Sequence, residues 1–518
     1  SVAELARLVL EVAKVKPYGL DTALEVNELL PPETEYGELK NEHIEAYEFK
    51  IVRDAELDID NDFSQDYVER MEEELKQRKG GRPMRLVYDA AIPPVMLRLL
   101  MTALRLSDYD PLVGGGRYHN MKDLMKFPSK RPDLSWPRAE VAPHPVLDQD
   151  PHRPALDVIR NQDVLITYPY QSFDHIVRLM REAAIDPKVQ SIKRTIYRVS
   201  PNSQIVNALV NAAKNGKHVL VNVELQARFD EEHNIEIASR LDSAGATVIY
   251  GVPPMKVHSK LLLIQRENVK FAGLATGNFN ENTGKLYVDS ALLTADRRLT
   301  NEVEAVFTLL QDATRMRLFP RPTLRQLIVS PLNSRARFGK LIDEQKALGK
   351  QGYILIKANH LTDDSVAARL RDAADAGVQI DLIIRTTYAM APHDNIRAIS
   401  ILDRYLEHQR VYIFGRGKER KVFLGSSDLM ERNLDWRVEV AFPILDKKIR
   451  NEIVDLMDIQ LKDNTKARIL DAMQSNEYVD KRKGKHRAQE LTANYYHEKT
   501  AALTPEQIEQ AAAKIDAD

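Results

Sequence analysis

The order of apolar and polar positions along the chain changes character near residue 150. Residues 1–35 place Leu5, Ala6, Leu8, Val9, Val12 and Ala13 at helical spacing and run into Pro31 and Pro32, which predicts one amphipathic helix and then a break. Alternation from Ala46 to Leu57 predicts a strand, and the dense charges of 64–79 an exposed helix. Met84 to Tyr88 then predicts a strand and 93–106 another helix, completing a small α+β unit. Seven prolines between Pro128 and Pro154 predict an extended linker.

Beyond the linker the pattern becomes strand, helix, strand, helix, strand. The elements are Ile192 to Arg198, Ser203 to Ala213, Val219 to Leu225, Asn234 to Ser243 and Thr247 to Gly251. The same order recurs as Tyr353 to Ala358, Ser365 to Ala376, Ile380 to Ile384, a helix over Ile396 to Leu406, and Val411 to Phe414. Ala212, Ala213 and Gly216 match Ala373, Ala374 and Gly377, so two homologous α/β halves are expected. Thr504 to Asp518 reads as an exposed helix.

Composition narrows the class without naming it. The 518 residues are 43% hydrophobic and 29% charged, with 74 basic against 76 acidic side chains and a net charge of −2. Such a chain is globular, neither disordered nor collagenous. The absence of cysteine excludes disulfides, thiolate metal sites, iron–sulfur clusters and a cysteine nucleophile. No run of 18 apolar residues exists to span a membrane, and the charged amino terminus is unlike a secretory signal; the start at Ser1 points to processing or a fragment. The balanced charge argues against nucleic acid as a partner. The basic run Lys481 to Arg487 reads as a solvated tail that could guide a polyanion.

The chemistry is carried by a repeated constellation. His258 and Lys260 precede the apolar run Leu261 to Ile264, and His408 and Arg410 precede Val411 to Phe414. A shift of 150 residues superposes these pairs, places Thr276, Gly277 and Asn278 on Ser426, Ser427 and Asp428, and places Asp289 on Glu439. This is the layout of a two-histidine phosphoryl-transfer site in a duplicated domain. One imidazole is the nucleophile and the other steadies phosphate or donates a proton. Lys260 and Arg410 supply charge, and Asn278 and Asp428 are expected to orient the rings. Arg198, Arg228 and Arg385 lie at strand ends, where α/β sheets hold ligands and a guanidinium suits anionic oxygens; Asp230, Glu231 and Glu232 are available as partners to Arg228. Gly114 to Arg117 lacks the remainder of a phosphate-binding loop, and neither a zinc helix nor a dinucleotide fingerprint is present.

Lys256 to Ile264, Ala275 to Asn282, Leu286 to Asp289 and Leu293 to Asp296 resemble the type 1 polyphosphate kinase family, whose catalytic domains are similar to phospholipase D. Phe49 to Leu57, Tyr170 to Phe173, Val223 to Glu232, Asp403 to Tyr412 and Arg432 to Val440 extend the resemblance over about residues 36–490. It implies an α/β fold of two duplicated phospholipase-D-like catalytic domains, 155–325 and 326–490. Before them come a short helical remnant, 1–35, and an α+β head domain, 36–140; a helical tail, 491–518, follows. The implied reaction is reversible transfer of the terminal phosphate of ATP to inorganic polyphosphate through a phosphohistidine at His258, with His408 as partner. The family's nucleotide-phosphate contacts fall on Tyr287, Arg385 and His408. Its magnesium-site positions fall on Arg198 and Arg228, which as cations would hold the phosphate oxygens that carry magnesium. ATP, ADP and polyphosphate are the implied partners of a cytoplasmic homo-oligomer, a dimer or tetramer, in at most peripheral contact with the inner face of the membrane.

Two segments depart from the family. No Phe-Asn-x-Arg-Val-Leu stretch precedes residue 36, so weak discrimination between nucleobases is expected. Thr386 to Asp394 replaces a glycine-rich and cysteine-containing loop after Arg385. The rival readings are a phosphodiesterase or nuclease with the same two histidines, and a degenerate polyanion-binding scaffold.

Overall fold

The computed structural model describes residues 47–53, 83–107, 112–119, 131, 140–150, 152–227, 230–252, 255–311, 322–473, 475–479 and 484–501. The helices expected over 1–35, 64–79 and 504–518, Arg228, and the first three residues of the basic run lie outside them. The chain divides into two units, Ser1–Trp136 and Pro137–Asp518.

In the first unit β1 (Phe49–Arg53) pairs antiparallel with β2 (Pro83–Asp89), and β2 pairs parallel with β3 (Leu112–Gly115). The helix joining β2 to β3, α1 (Pro94–Ala103), adds Met101 to a core that includes Leu86 and Leu104. Pro94 at its first position costs no hydrogen bond, because that N–H has no partner within a helix.

The second unit is built twice from one plan. Its first half runs α2 (Ala155–Asn161), β4 (Val164–Tyr168), α3 (Asp174–Ile185), β5 (Val189–Ile196), α4 (Gln204–Lys214), β6 (His218–Val223), α5 (Glu231–Ser243) and β7 (Thr247–Tyr250). Then come β8 (Lys256–Val257), β9 (Leu261–Arg266), β10 (Val269–Ala275), β11 (Tyr287–Thr294) and α6 (Arg297–Leu310). The second half repeats this with β12 (Ile328–Ser330), α7 (Ser334–Ala347), β13 (Tyr353–Leu361), α8 (Asp364–Asp375), β14 (Gln379–Tyr388) and β15 (Ile396–Ile401). It continues through β16 (Leu406–Glu407), β17 (Arg410–Phe414), β18 (Lys421–Gly425), α9 (Glu431–Asp435), β19 (Arg437–Pro443) and α10 (Lys447–Leu461), and ends with β20 (Ala467–Ile469) and α11 (Ala488–Ala501). Equivalent helices start on equivalent caps. Asp296 accepts from the Arg298 N–H and Asp446 from those of Lys448 and Ile449, each cap being worth about 1 kcal/mol.

The helix expected over Ile396 to Leu406 is not formed. Ile396–Ile401 is β15, parallel to β14 and antiparallel to β20, and Leu406–Glu407 is β16. The β-branched Ile396, Ile399 and Ile401 fit a pleated surface better than a helix. The second half simply lacks a counterpart of α5 between its second and third parallel strands.

Each half forms a sheet, ordered β16-β11-β10-β9-β5-β6-β7 in the first and β12-β19-β18-β17-β13-β14-β15-β20 in the second, with β4 on β11 and β8 on β19. Two short strands are therefore exchanged. β8 leaves the first half to pair parallel with β19, Val257 opposite Val438. β16 leaves the second to pair parallel with β11, Val288 opposite Glu407. One apolar core crosses between the halves, containing Leu263, Leu274, Val303 and Phe307 together with Leu355, Ile413, Phe442 and Met457.

Candidate active site

Each exchanged strand ends at a histidine. The His258 N–H donates to the Val438 carbonyl at 2.9 Å, and its Nδ1 lies 2.9 Å from both oxygens of Glu439. The His408 N–H donates to the Val288 carbonyl at 3.2 Å, and its Nδ1 lies 2.7 Å from Asp289 Oδ2. Each ring is thus fixed by the other half. The carboxylates are prepared in the same way: Thr276 Oγ1 donates to Asp289 and Ser426 Oγ to Glu439, and Asn433 Nδ2 adds a second bond to Glu439. Gly277 has a steric reason here, because a Cβ on it would stand 2.0 Å from Asp289 Oδ2.

This corrects the expectation that Asn278 and Asp428 orient the rings. Asp428 is committed to Arg410, at 3.1 and 3.2 Å, and to the Asn359 N–H at 2.8 Å. Asn278 Oδ1 is buried without a hydrogen-bond partner among the described residues. The 150-residue shift contained the right pairing of Asp289 with Glu439, but a single sequence does not show that the halves exchange strands.

Electrostatics separates the two histidines. Burial lowers the His258 imidazole to about 3 against the pull of Glu439, while burial of Glu439 is outweighed by the His258 bond and by Lys260 and Arg437, so its carboxyl stays below the usual range. The ring is then neutral, with its proton on Nδ1 facing the carboxylate and its lone pair on Nε2. Among the described residues no group bonds to that Nε2. His408 is also lowered by burial, but Arg410 Nη1 lies 3.1 Å from its Nε2 and 2.8 Å from its carbonyl.

The neighbouring cations differ as well. Arg410 is neutralised by Asp428, whereas Lys260, whose Nζ donates to the His258 carbonyl, has the neutral Asn278 at the position equivalent to Asp428. Burial lowers the Lys260 ammonium to about 7, with Glu439 opposing and Arg410 adding to the shift. An anion arriving beside it would restore the full charge.

Around this centre Tyr197 presents its ring edge-on to His258 at 4.8 Å, beneath the Arg198 guanidinium at 5.5 Å. Arg198 Nε pairs with Asp230 at 2.7 Å, one of the three acidic residues offered as partners to Arg228, which itself lies outside the described residues. Tyr287 leans on His408 at 5.4 Å, and Arg385 Nη1 donates to the Glu407 carbonyl at 3.3 Å. The Arg385 guanidinium is lowered by burial and by Arg410. The sequence reading left out Arg437, which occupies beside His258 the register that Tyr287 occupies beside His408, and whose charge is felt at His258, Lys260 and Glu439. Its signal was present, since Tyr287 and Arg437 are related by the same 150-residue shift. Among the described residues no group of three histidine or acidic side chains could hold a metal ion, and no helix is long and apolar enough to cross a membrane.

Three family models match in series: the polyphosphate kinase middle domain at residues 38–127, C-terminal domain 1 at 154–316 and C-terminal domain 2 at 327–489. Polyphosphate kinases of Salmonella typhimurium and Escherichia coli are each 44% identical over 450 residues, covering 84% of this chain and 64% of theirs. The chain thus spans just under two thirds of the length of these relatives. A crystal structure of polyphosphate kinase from Porphyromonas gingivalis superposes with a TM-score of 0.75 at 35% identity, over 88% of this chain and 68% of that one. With three consecutive domain models, long alignments and a shared architecture in agreement, the chain belongs to the polyphosphate kinase family.

Proposed function

We propose that this chain transfers the terminal phosphate of ATP reversibly to polyphosphate through a phosphohistidine at His258. The observation that carries the reading is the contrast between two equivalent histidines. Only His258 combines a carboxylate-fixed Nδ1, an Nε2 with no partner among the described residues, and a lysine with no carboxylate at the position equivalent to Asp428.

In the first step the Nε2 lone pair attacks the γ-phosphorus. The bond from that phosphorus to the β–γ bridging oxygen breaks, and its electron pair leaves with ADP. In the second step a terminal oxygen of polyphosphate attacks the same phosphorus, the N–P bond breaks, and the lone pair returns to His258. Lys260, Arg198, Arg385 and Arg437 hold the charge that develops on the phosphoryl oxygens, with Arg228 as a further expected contact. His408, steadied by Asp289, lies against the phosphates with Tyr287 and steadies the phosphoryl group for attack by the polyphosphate oxygen in the second step. Arg410 stays with Asp428 and carries less of the phosphate charge.

Magnesium belongs to this scheme as part of the nucleotide substrate, since the described side chains offer it no cage and Arg198 is itself a cation paired with Asp230. A dimeric or tetrameric assembly and peripheral membrane contact are family expectations, checked by light scattering and by flotation with anionic vesicles.

The test is polymer formation from ATP and magnesium. The wild type should form polyphosphate and His258→Gln none, with its fold retained by circular dichroism. Normal turnover in His258→Gln would contradict the reading.

A further inference from the structure

The two exchanged strands are fastened by different means. The arm of His258 is held from its own half: the buried Glu224, just past the end of β6, accepts the Val257 N–H at 2.7 Å, and the Val257 side chain joins the apolar core. The repeat-equivalent residue on the other arm is Glu407, a charged group only about 2% exposed. A buried carboxylate is costly unless paired and hydrogen-bonded. Lys357 on β13 meets Glu407 Oε2 at 2.6 Å, and Gln460 on α10 meets the same oxygen at 3.3 Å. Oε1 is met by Gln489 of α11 at 2.8 Å.

Gln489 does more than complete Glu407. Its Oε1 accepts the Tyr405 N–H and its Nε2 donates to the Tyr405 carbonyl, both at 2.9 Å, so one amide grips the backbone of the arm three residues before His408. Arg487, just ahead of α11, grips Asp403 with two bonds of 2.6 and 2.8 Å. Farther along α11, Tyr496 stacks on Tyr170 of the first half, against whose ring Tyr405 also packs. The helix and the arginine just ahead of it therefore touch the arm at Asp403, Tyr405 and Glu407, and the helix continues beyond residue 489, where the match to the second C-terminal domain ends.

We propose that α11 is a strap that sets the position of His408, with Gln489 as the positioning residue. The proposal rests on the phosphohistidine reading for its kinetic consequence but not for its structural one, and the test separates the two. Gln489→Met keeps the volume and removes three hydrogen bonds. Hydrogen–deuterium exchange should quicken in peptides covering 402–409 and stay unchanged in 255–261, the other arm. Unchanged exchange in 402–409 overturns the strap whatever the chemistry.

In single-turnover experiments labelling of His258 should persist while the chase of label into polyphosphate slows by about ten- to a hundredfold, the scale of a misplacement of about 1 Å. Equal loss of labelling and chase would make Gln489 merely structural. Failure of the wild type to label at all would sink the functional reading and leave the exchange result standing. If Gln489→Met does not fold, Arg487→Gln is expected to show the same signature more weakly, and its absence there would equally overturn the strap.

Discussion

At the scale of single residues, Lys260 should decide much of the pH behaviour. Burial places its ammonium near 7 in the free protein, so its charge fades as pH rises through that value. His258, near 3, is already neutral over the same range. The apparent specificity constant for ATP, which reports free-enzyme groups, should therefore be level from about pH 4 to 7 as far as these groups control it, and fall above that. Lys260→Arg should remove the alkaline fall, and Asn278→Asp, by supplying the carboxylate that Arg410 has in Asp428, should move it upward. A wild-type profile flat to pH 9 would remove Lys260 from phosphate binding. Arg385→Ala and Arg198→Ala should each cost about 2–4 kcal/mol of transition-state stabilisation in measured kcat/KM, the usual effect of losing a donor preset toward developing charge. Residue types and spacing made these groups legible in the sequence. What they do not encode is which carboxylate reaches which ring, because that depends on a contact between positions 181 residues apart.

At the scale of elements, the exchanged strands make each half supply what the other lacks. Glu439→Gln takes the carboxylate from His258 and should lower phosphoenzyme formation by about a hundredfold or more, with little change in the affinity for ATP. Phosphoenzyme formation by Glu439→Gln at the wild-type rate would mean that Glu439 works elsewhere. Most strands and helices were readable from periodicity, because Val219 to Val223 or Ser203 to Ala213 carry their burial pattern locally. The segment from Ile396 was misread because the repeat imposed a helix where the second half returns directly from β14 to β15. β8 and β16, at two residues each, are too short to have a period at all.

At the scale of the whole molecule, the shared core and the two exchanged strands join the halves into one cooperative body. Calorimetry of the full chain should show a single transition for residues 137–518, and Phe307→Ala, a core truncation costing about 3–5 kcal/mol, should lower it without splitting it. Two separable transitions assigned by exchange to 155–325 and 326–490 would mean that the halves fold independently and that the exchanged strands are secondary. The central claim is narrower, that one of two equivalent histidines is the nucleophile and the other is not. Incubation with gamma-labelled ATP and magnesium, followed by peptide mapping, measures it directly. The account predicts an acid-labile, base-stable label on the peptide containing His258 and none on the peptide containing His408; a label at His408, or an acid-stable ester on another side chain, would contradict it.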